Sequence, residues 1–382
     1  MPTHVVSSED DVVEAVMTAR EWRSPLEIMG AGSKQGFGRA VVTMGSVLDV
    51  SGLAGVVSYE PEELILTVAP GTPVAEIDAV LAAKGQRLGF EPPDWGPLLG
   101  QPPGLGTIGG AICADTNGPA RVQCGAVRDH LLGIRGVNGF GEAFKAGGKV
   151  VKNVTGFDIP KLVCGAMGTL CVLTEVTLRV FPRPPLSAVL SVRELSPSDG
   201  FALLRKVWSS PLGATGLAFS QDRVLIRLEG EREPLAEKCA MLRALTDRPV
   251  DEVPDGEIAF AAIGGGEVFA DTPFDVWRAF VPPASAAEIA AEIDAPLWLG
   301  DWSGGVLWLG TVPGSDTVRG PVARAGGHAV LLRADEETRE RIHVFEPQSA
   351  VRMAVTRSVK AAFDPLGLFN PGRMWPETEE AS

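Results

Sequence analysis

Apolar residues in the first 180 positions recur in two rhythms, one suited to helices and one to strands. In "SSEDDVVEAVMTAREW", Val12, Val13, Val16 and Met17 fall on one stripe at helical spacing. Ser7 and Asp10 precede that stripe in capping-box separation, which predicts an amphipathic helix. "PLEIM" predicts a short strand running into a glycine-rich loop. "ELILTVAPGTPVAEIDAVLAAKG" predicts a strand, a Pro-Gly turn and a helix, with Thr72 as cap, Pro73 at the first position and Gly85 as stop. "CVLTEVTLRVF" alternates, which places Val172, Thr174, Val176, Leu178 and Val180 on one face of a strand. "PRPP" at 182–185 then breaks the pattern and marks a domain boundary.

The second half opens with a strand ("AVLSVREL"), a helix ("GFALLRKVW"), a strand ("RVLIRLEG") and a helix ("LAEKCAMLRAL"). "LWLGDWSGGVLWLG" predicts a hairpin turned at Gly304 and Gly305, and "VKAAFDPLGLFNPGRMWP" a helix end followed by turns. Mixed elements with antiparallel hairpins and no internal repeat predict an α+β protein. A length of 382 residues suffices for two domains with cores of their own.

Composition narrows the partners. The chain is 45% hydrophobic and 21% charged, as soluble globular proteins are. Its net charge of −14 and the lack of a Lys/Arg cluster argue against nucleic acid and against anionic membrane surfaces. "MPTHVVSSEDD" lacks the regions of a signal peptide, and no apolar run approaches the ~18 residues of a spanning helix, so the expected location is cytoplasmic. Five cysteines with no C-x-x-C argue against a disulfide framework, and no metal site is expected.

Three loops carry the candidate chemistry. "GAGSKQGFG" (30–38) fails the G-x-G-x-x-G spacing of a dinucleotide fingerprint and reverses the G-K-[ST] of a Walker loop. It leaves consecutive N–H groups from Gly30 to Lys34, either an anion nest or an ordinary Gly-rich turn. In "GTIGGAICADTNGP" (106–119), Gly109 and Gly110 allow a flat ring to lie against backbone, while Thr107, Thr116 and Asn117 offer neutral hydrogen bonds. "VVKNVTGFDIPKLVCGAMGTLCVLTEVTL" places Lys152, Asn153, Thr155 and Asp158 before a glycine turn into a strand.

Together with "LILTVAPGTPVAEI", "VRDHLLGIRGVNGFGE" and "FDPLGLFNPGRM", these loops resemble, in order and spacing, the vanillyl-alcohol-oxidase/p-cresol-methylhydroxylase-type flavin family. The resemblance is stronger still to the FAD-binding subunits of bacterial glycolate oxidases. It is strong over 5–185 and good over 360–376. It implies a two-subdomain FAD-binding domain (1–183), a small α+β cap (186–350) and a C-terminal segment (351–382) that returns to the FAD domain.

The resemblance also assigns roles. Gly30, Ala31, Gly32, Ser33 and Lys34 inherit the pyrophosphate of FAD, and Pro70 and Gly71 a turn beside the flavin. Gly106, Thr107, Gly109, Gly110 and Thr116 belong to the loop on the isoalloxazine side, and Gly168, Thr169 and Val172 inherit the adenosine end. Ser33 stands where many members carry a tethering histidine, so FAD is expected to be non-covalent. No catalytic residue is assigned, although Arg324, Arg333 and Arg352 are available. His328 and His343 lack metal-ligand spacing.

The implied function is oxidation of glycolate to glyoxylate by a complex, with electrons passing to a non-NAD acceptor. The implied partners are a larger flavin-containing subunit and an iron–sulfur subunit, which could hold the chain peripherally at the inner membrane. Trp298, Trp302 and Trp308 are candidates for a partner surface or for core. The alternatives are a self-sufficient FAD-linked 2-hydroxy-acid dehydrogenase and a redox-silent assembly subunit.

Overall fold

In the computed structural model, which describes residues 2–40, 45–148, 157–220 and 222–376, the predicted helix runs from Glu9 to Trp22. Its capping box lies one residue later than expected. Ser8 Oγ accepts the Asp11 N–H at 3.1 Å, and Asp11 Oδ2 accepts the Ser8 N–H at 3.0 Å. Val12, Val16 and Ala19 are its buried positions, whereas Met17, about 100° round the helix from Val16, falls off that stripe and is 51% exposed. The helix packs on a parallel sheet of Thr3–Val5, Ser46–Asp49 and Leu26–Met29.

A second sheet is antiparallel, in the order Val56–Glu60, Ile65–Val68, Cys171–Arg179, Leu131–Asn138 and Ala143–Gly147. The strand Cys171–Arg179 does not keep one face throughout. Arg135 pairs with Glu175 but Gly136 pairs with Leu173, so Thr174 is an extra residue and the pleat inverts there. Val172 therefore packs in the cluster beneath helix Glu9–Trp22, and Thr174 donates to Glu9 Oε2 on that side. Val176, Leu178 and Val180 join Ile77 and Leu81 in a different cluster. The next helix begins at Val74, with Pro73 in extended conformation as its cap. Thr72 instead donates to Ala69 O at 2.7 Å and accepts the Gly55 N–H at 2.9 Å, tying a turn rather than capping.

Beyond the "PRPP" stretch lies an eight-stranded antiparallel sheet. Leu186–Val192, Arg223–Gly230, Leu297–Asp301 and Val306–Thr311 match predicted strands, and the last two pair as the expected hairpin. Gly216–Ser220, Val250–Glu252, Asp275–Phe280 and His328–Arg333 complete it. Helices Pro197–Trp208, Arg232–Ala244 and Ala286–Ile293 cover one face, burying Leu217, Phe219, Trp277 and Leu309. The other face lies against the N-terminal loops, where Leu225, Val276 and Trp308 meet Phe37, Trp95 and Leu98. Ion pairs of Arg227 with Glu91 (2.8 Å) and Arg87 with Glu229 (2.6 Å) cross the same junction.

The three tryptophans are therefore packing residues. Trp302 and Trp308 are 6% and 1% exposed, and Trp298 stacks on Phe201 and Phe219. His130 is buried between Phe90 and Phe181, and His328 stacks on Phe280.

Candidate functional site

The end of strand Leu26–Met29 opens a groove in front of the loop that follows it. The Leu26 N–H donates to Leu368 O and the Ile28 N–H to Asn370 Oδ1, each at 2.7 Å. The chain then leaves the strand. Among the described residues, the main-chain N–H groups of Gly30, Ala31, Gly32, Ser33 and Lys34 have no protein acceptor. Gly32 sits at φ +75°, a left-handed conformation that suits glycine and turns the row of donors.

Gly30 to Lys34, Pro70, Thr107, Gly109, Gly110 and Gly168 all line this groove, together with Cys113 and Cys171. Three loops far apart in sequence thus converge on one space. Thr107 caps the short helix Ile108–Cys113 by accepting the Gly110 N–H at 3.3 Å. The approach is close: a Cβ on Gly109 would lie 2.7 Å from Pro70 Cβ, and one on Gly30 would lie 2.9 Å from Thr107 Oγ1. Lys34 reaches into the groove, with Nζ 3.7 Å from the Cβ position of Gly106 and 3.4 Å from Ser33 Oγ. Burial lowers its pKa, opposed by the charge of Asp94, so an anionic ligand would stabilise its charged form.

Other expected residues stand behind the groove. Gly71 donates to Leu53 O at 2.7 Å and leaves no room for a Cβ beside Val50 O. Thr116 donates to Ala111 O from a fully buried position. Thr169 faces a second groove, and Val172 is core. Lys152, Asn153 and Thr155 lie outside the described residues, and Asp158 pairs with Lys161 at 2.6 Å on the surface. Arg324 pairs with Glu292, and Arg333 donates to the carbonyls of Phe269, Ala270, Thr272 and Phe274. Arg352 is exposed on the helix Ala350–Phe363.

Residue-by-residue sequence reading missed Asn370 and Arg373, which line the groove from the C-terminal tail. Asn370 Nδ2 donates to Met167 O at 2.7 Å while its Oδ1 holds Ile28, so one side chain fastens two walls. Arg373 Nη2 donates to Lys34 O at 3.1 Å and to Gln35 O at 3.0 Å, which fixes the back of the 30–38 loop. Burial lowers its pKa to about 10. The available signal was the polar pattern of "FNPGRM" in a tail otherwise built for turns.

The groove suits a flavin dinucleotide. Unpaired N–H donors and Lys34 fit a pyrophosphate, and glycines at contact distance from a second loop admit a flat ring against backbone. Burial pushes the Cys113 thiol up to about 11 and the Cys171 thiol upward as well, so both are neutral. Of the four histidines, none lines the groove.

A second cluster occupies the junction with the large sheet. The Arg278 guanidinium is 4% exposed and lies 4.8–5.3 Å from the ring centres of Trp95, Phe280, Trp302 and Trp308. Its Nε has no hydrogen-bond partner among the described residues. Asp301 is buried nearby, accepting the Trp302 N–H at 2.7 Å, and burial raises its pKa to about 7 despite the charges of Arg278 and Arg227. Because the folded value exceeds 3.8, the fold keeps a proton that the unfolded chain releases. Asp301 then costs nothing below about pH 4 and progressively more stability as pH rises to about 7. The thermal midpoint of Asp301→Asn should therefore gain on wild type across that interval, measured by calorimetry at matched pH. A constant difference would refute it.

Comparison with known proteins agrees with this architecture. A family model described as "FAD binding domain" matches residues 3–147. The glycolate oxidase subunit GlcE of Escherichia coli (strain K12) is 32% identical over 374 residues, covering 96% of this chain and 97% of that protein. The glycolate oxidase subunit GlcD of Bacillus subtilis (strain 168) is 29% identical over 50% of this chain and 39% of its own. Among solved structures, p-cresol methylhydroxylase superposes with a TM-score of 0.74 at 13% identity, covering 97% of this chain and 88% of that one, a likeness of fold. Alkyldihydroxyacetonephosphate synthase gives 0.71 at 14% identity, over 97% of this chain and 76% of that one.

Proposed function

The chain belongs to the FAD-binding family of glycolate oxidase subunits, and from that membership we propose that it holds FAD without a covalent tether and carries electrons within the complex. The row of five N–H groups from Gly30 to Lys34 along the groove, without an acceptor among the described residues, is the observation that carries the cofactor assignment. Gly30 to Lys34 would hold the pyrophosphate, and Gly109 and Gly110 the ring system. FAD, when bound, supplies the two-electron acceptor chemistry. The protein holds the phosphates, orients the ring and keeps Cys113 protonated beside it.

With Ser33 in the loop, neutral cysteines and no histidine, none of the described residues lining the groove is poised to form a bond to the flavin. Acid precipitation of the yellow protein should leave its flavin absorbance in the supernatant; absorbance that stays with the pellet would refute non-covalent binding.

Substrate oxidation is proposed to occur on a larger flavin-containing subunit, with onward transfer to an iron–sulfur subunit. Aromatic packing supports this, because Trp95, Trp302 and Trp308 fill the junction that faces the flavin loops. Any attachment to the inner membrane would come through those partners. No helix among the described residues is long and apolar enough to cross a membrane.

One observation favours a self-sufficient dehydrogenase, namely the buried Arg278, whose Nε has no partner among the described residues and whose guanidinium would suit a carboxylate. Anaerobic glycolate should leave the flavin spectrum of the lone subunit unchanged over minutes. Prompt bleaching, lost again in Arg278→Met, would replace the relay with direct oxidation.

A further inference from the structure

The hairpin of Leu297–Asp301 and Val306–Thr311 turns through three successive left-handed residues, Trp302 (φ +52°), Ser303 (φ +60°) and Gly304 (φ +89°). Glycine suits such a position, whereas a tryptophan or serine is disfavoured there. Ser303 adds a buried hydroxyl with no hydrogen-bond partner among the described residues. Strain of this kind persists only where the surroundings over-determine it. At Trp302 they do. Its main-chain N–H donates to Asp301 Oδ1 at 2.7 Å, and its indole Nε1 donates to Gly118 O at 3.0 Å, 184 positions away. The Arg121 guanidinium lies 4.2 Å from the centre of the same indole.

Gly118 and Arg121 belong to the segment that leaves the cofactor groove, where Cys113 and Ala114 are lining residues. Ala114 and Met167, both in the groove wall, are buried in the same apolar cluster as Trp302. Asp115 (φ +49°) and Met167 (φ +52°) are left-handed as well, so strained backbone recurs from the groove to the turn. On its other side the segment has no room to retreat. A Cβ on Gly118 would lie 2.2 Å from Glu91 O, and Glu91 is itself paired with Arg227 of the large sheet.

We infer that Trp302 is a positioning residue for the flavin: the strained turn sets its indole on the Gly118 carbonyl and so fixes the Ala114 side of the cofactor groove. The inference rests on the assignment of FAD to that groove. It separates Trp302 from Trp308, which is at least as deeply buried in the same cluster but whose indole N–H has no partner among the described residues. Trp308 packs; Trp302 packs and holds.

The test compares FAD-loaded, full-length Trp302→Phe and Trp308→Phe, each of which shrinks an indole to a phenyl ring. Both should lower the thermal midpoint. Only Trp302→Phe unties Gly118 O, so it should speed FAD dissociation at least about fivefold and alter the visible circular dichroism of the bound flavin. For Trp308→Phe the acceleration should stay below about twofold. Equal acceleration in both variants would reduce Trp302 to packing and leave the FAD assignment intact. So would a Trp302→Phe protein that loses stability but keeps the wild-type rate and flavin spectrum. Ser303→Gly accepts the same φ and removes the orphan hydroxyl, so its midpoint should rise with FAD dissociation unchanged. A midpoint that falls would show that the turn holds no strain and overturn the inference. Coupling between sites is reciprocal, so FAD added to unaltered apoprotein should slow hydrogen exchange over 301–306 as well as over 114–121. Protection confined to the groove would break the link without any substitution. Apoprotein that takes up no FAD would remove the cofactor assignment and the positioning role together.

Discussion

Gly32→Asp should give a folded, colourless protein. At φ +75° any side chain there incurs a left-handed penalty of about 1–2 kcal/mol, and Gly32→Asn, which tolerates that region, isolates it. The space itself is adequate, since the nearest atom to an added Cβ is Met29 Sδ at 3.4 Å. Charge is what separates the two variants. Aspartate sets a carboxylate among the N–H donors intended for a pyrophosphate, and close like charges at an effective dielectric of about 20 repel by about 3 kcal/mol or more. That corresponds to a loss of at least about 100-fold in FAD affinity beyond whatever Gly32→Asn loses. Titrating apoprotein by the quenching of flavin fluorescence measures both. Equal affinities for the two variants would show that the 30–34 loop does not hold the phosphates. If Gly32→Asp loses FAD while the reconstituted complex keeps full activity, the flavin of this subunit is redox-silent.

Asp364→Ala should release the tail that closes the groove. The carboxylate is buried and accepts the N–H groups of Leu368 (3.0 Å) and Phe369 (2.8 Å) as well as Lys360 Nζ (2.6 Å). Removing it orphans two buried donors and weakens the seat of an ammonium that is itself partly exposed, at a cost on the order of 3 kcal/mol. The loss falls locally, because Phe369 joins Leu26 through an isolated parallel bridge and carries Asn370 and Arg373 with it. Hydrogen exchange should accelerate by about two orders of magnitude over 364–374, and FAD affinity should fall with it. Acceleration spread evenly over the protein, or none, would show that Asp364 does not organise the tail.

Much of the site was legible in one dimension. The nest loop, "GTIGG" and the glycine turn before "TLCVLTE" could be located because close backbone approach requires glycine, and glycine is visible in sequence. The helix Glu9–Trp22 was legible because burial on one side imposes a 3.6-residue period, even though its cap was read one residue early. The strand Cys171–Arg179 was legible as a strand, but its faces were not, because the extra residue Thr174 inverts the pleat without altering local composition.

By itself, then, the sequence determined a mixed α and β chain, a net charge of −14 and three glycine loops of a flavin family. Those properties depend on residue type and short-range order. Tertiary structure alone decided that Lys34 turns inward, that Val172 and Thr169 face away, and that Trp302 and Trp308 pack around Arg278 while Trp298 stacks on Phe201 and Phe219. It also brought Asn370 to a strand 342 positions away and Arg373 to a loop 339 positions away. The physical reason is that such contacts depend on where strands and tails meet in space, and a hydrogen bond between distant residues leaves no period for a linear pattern to carry.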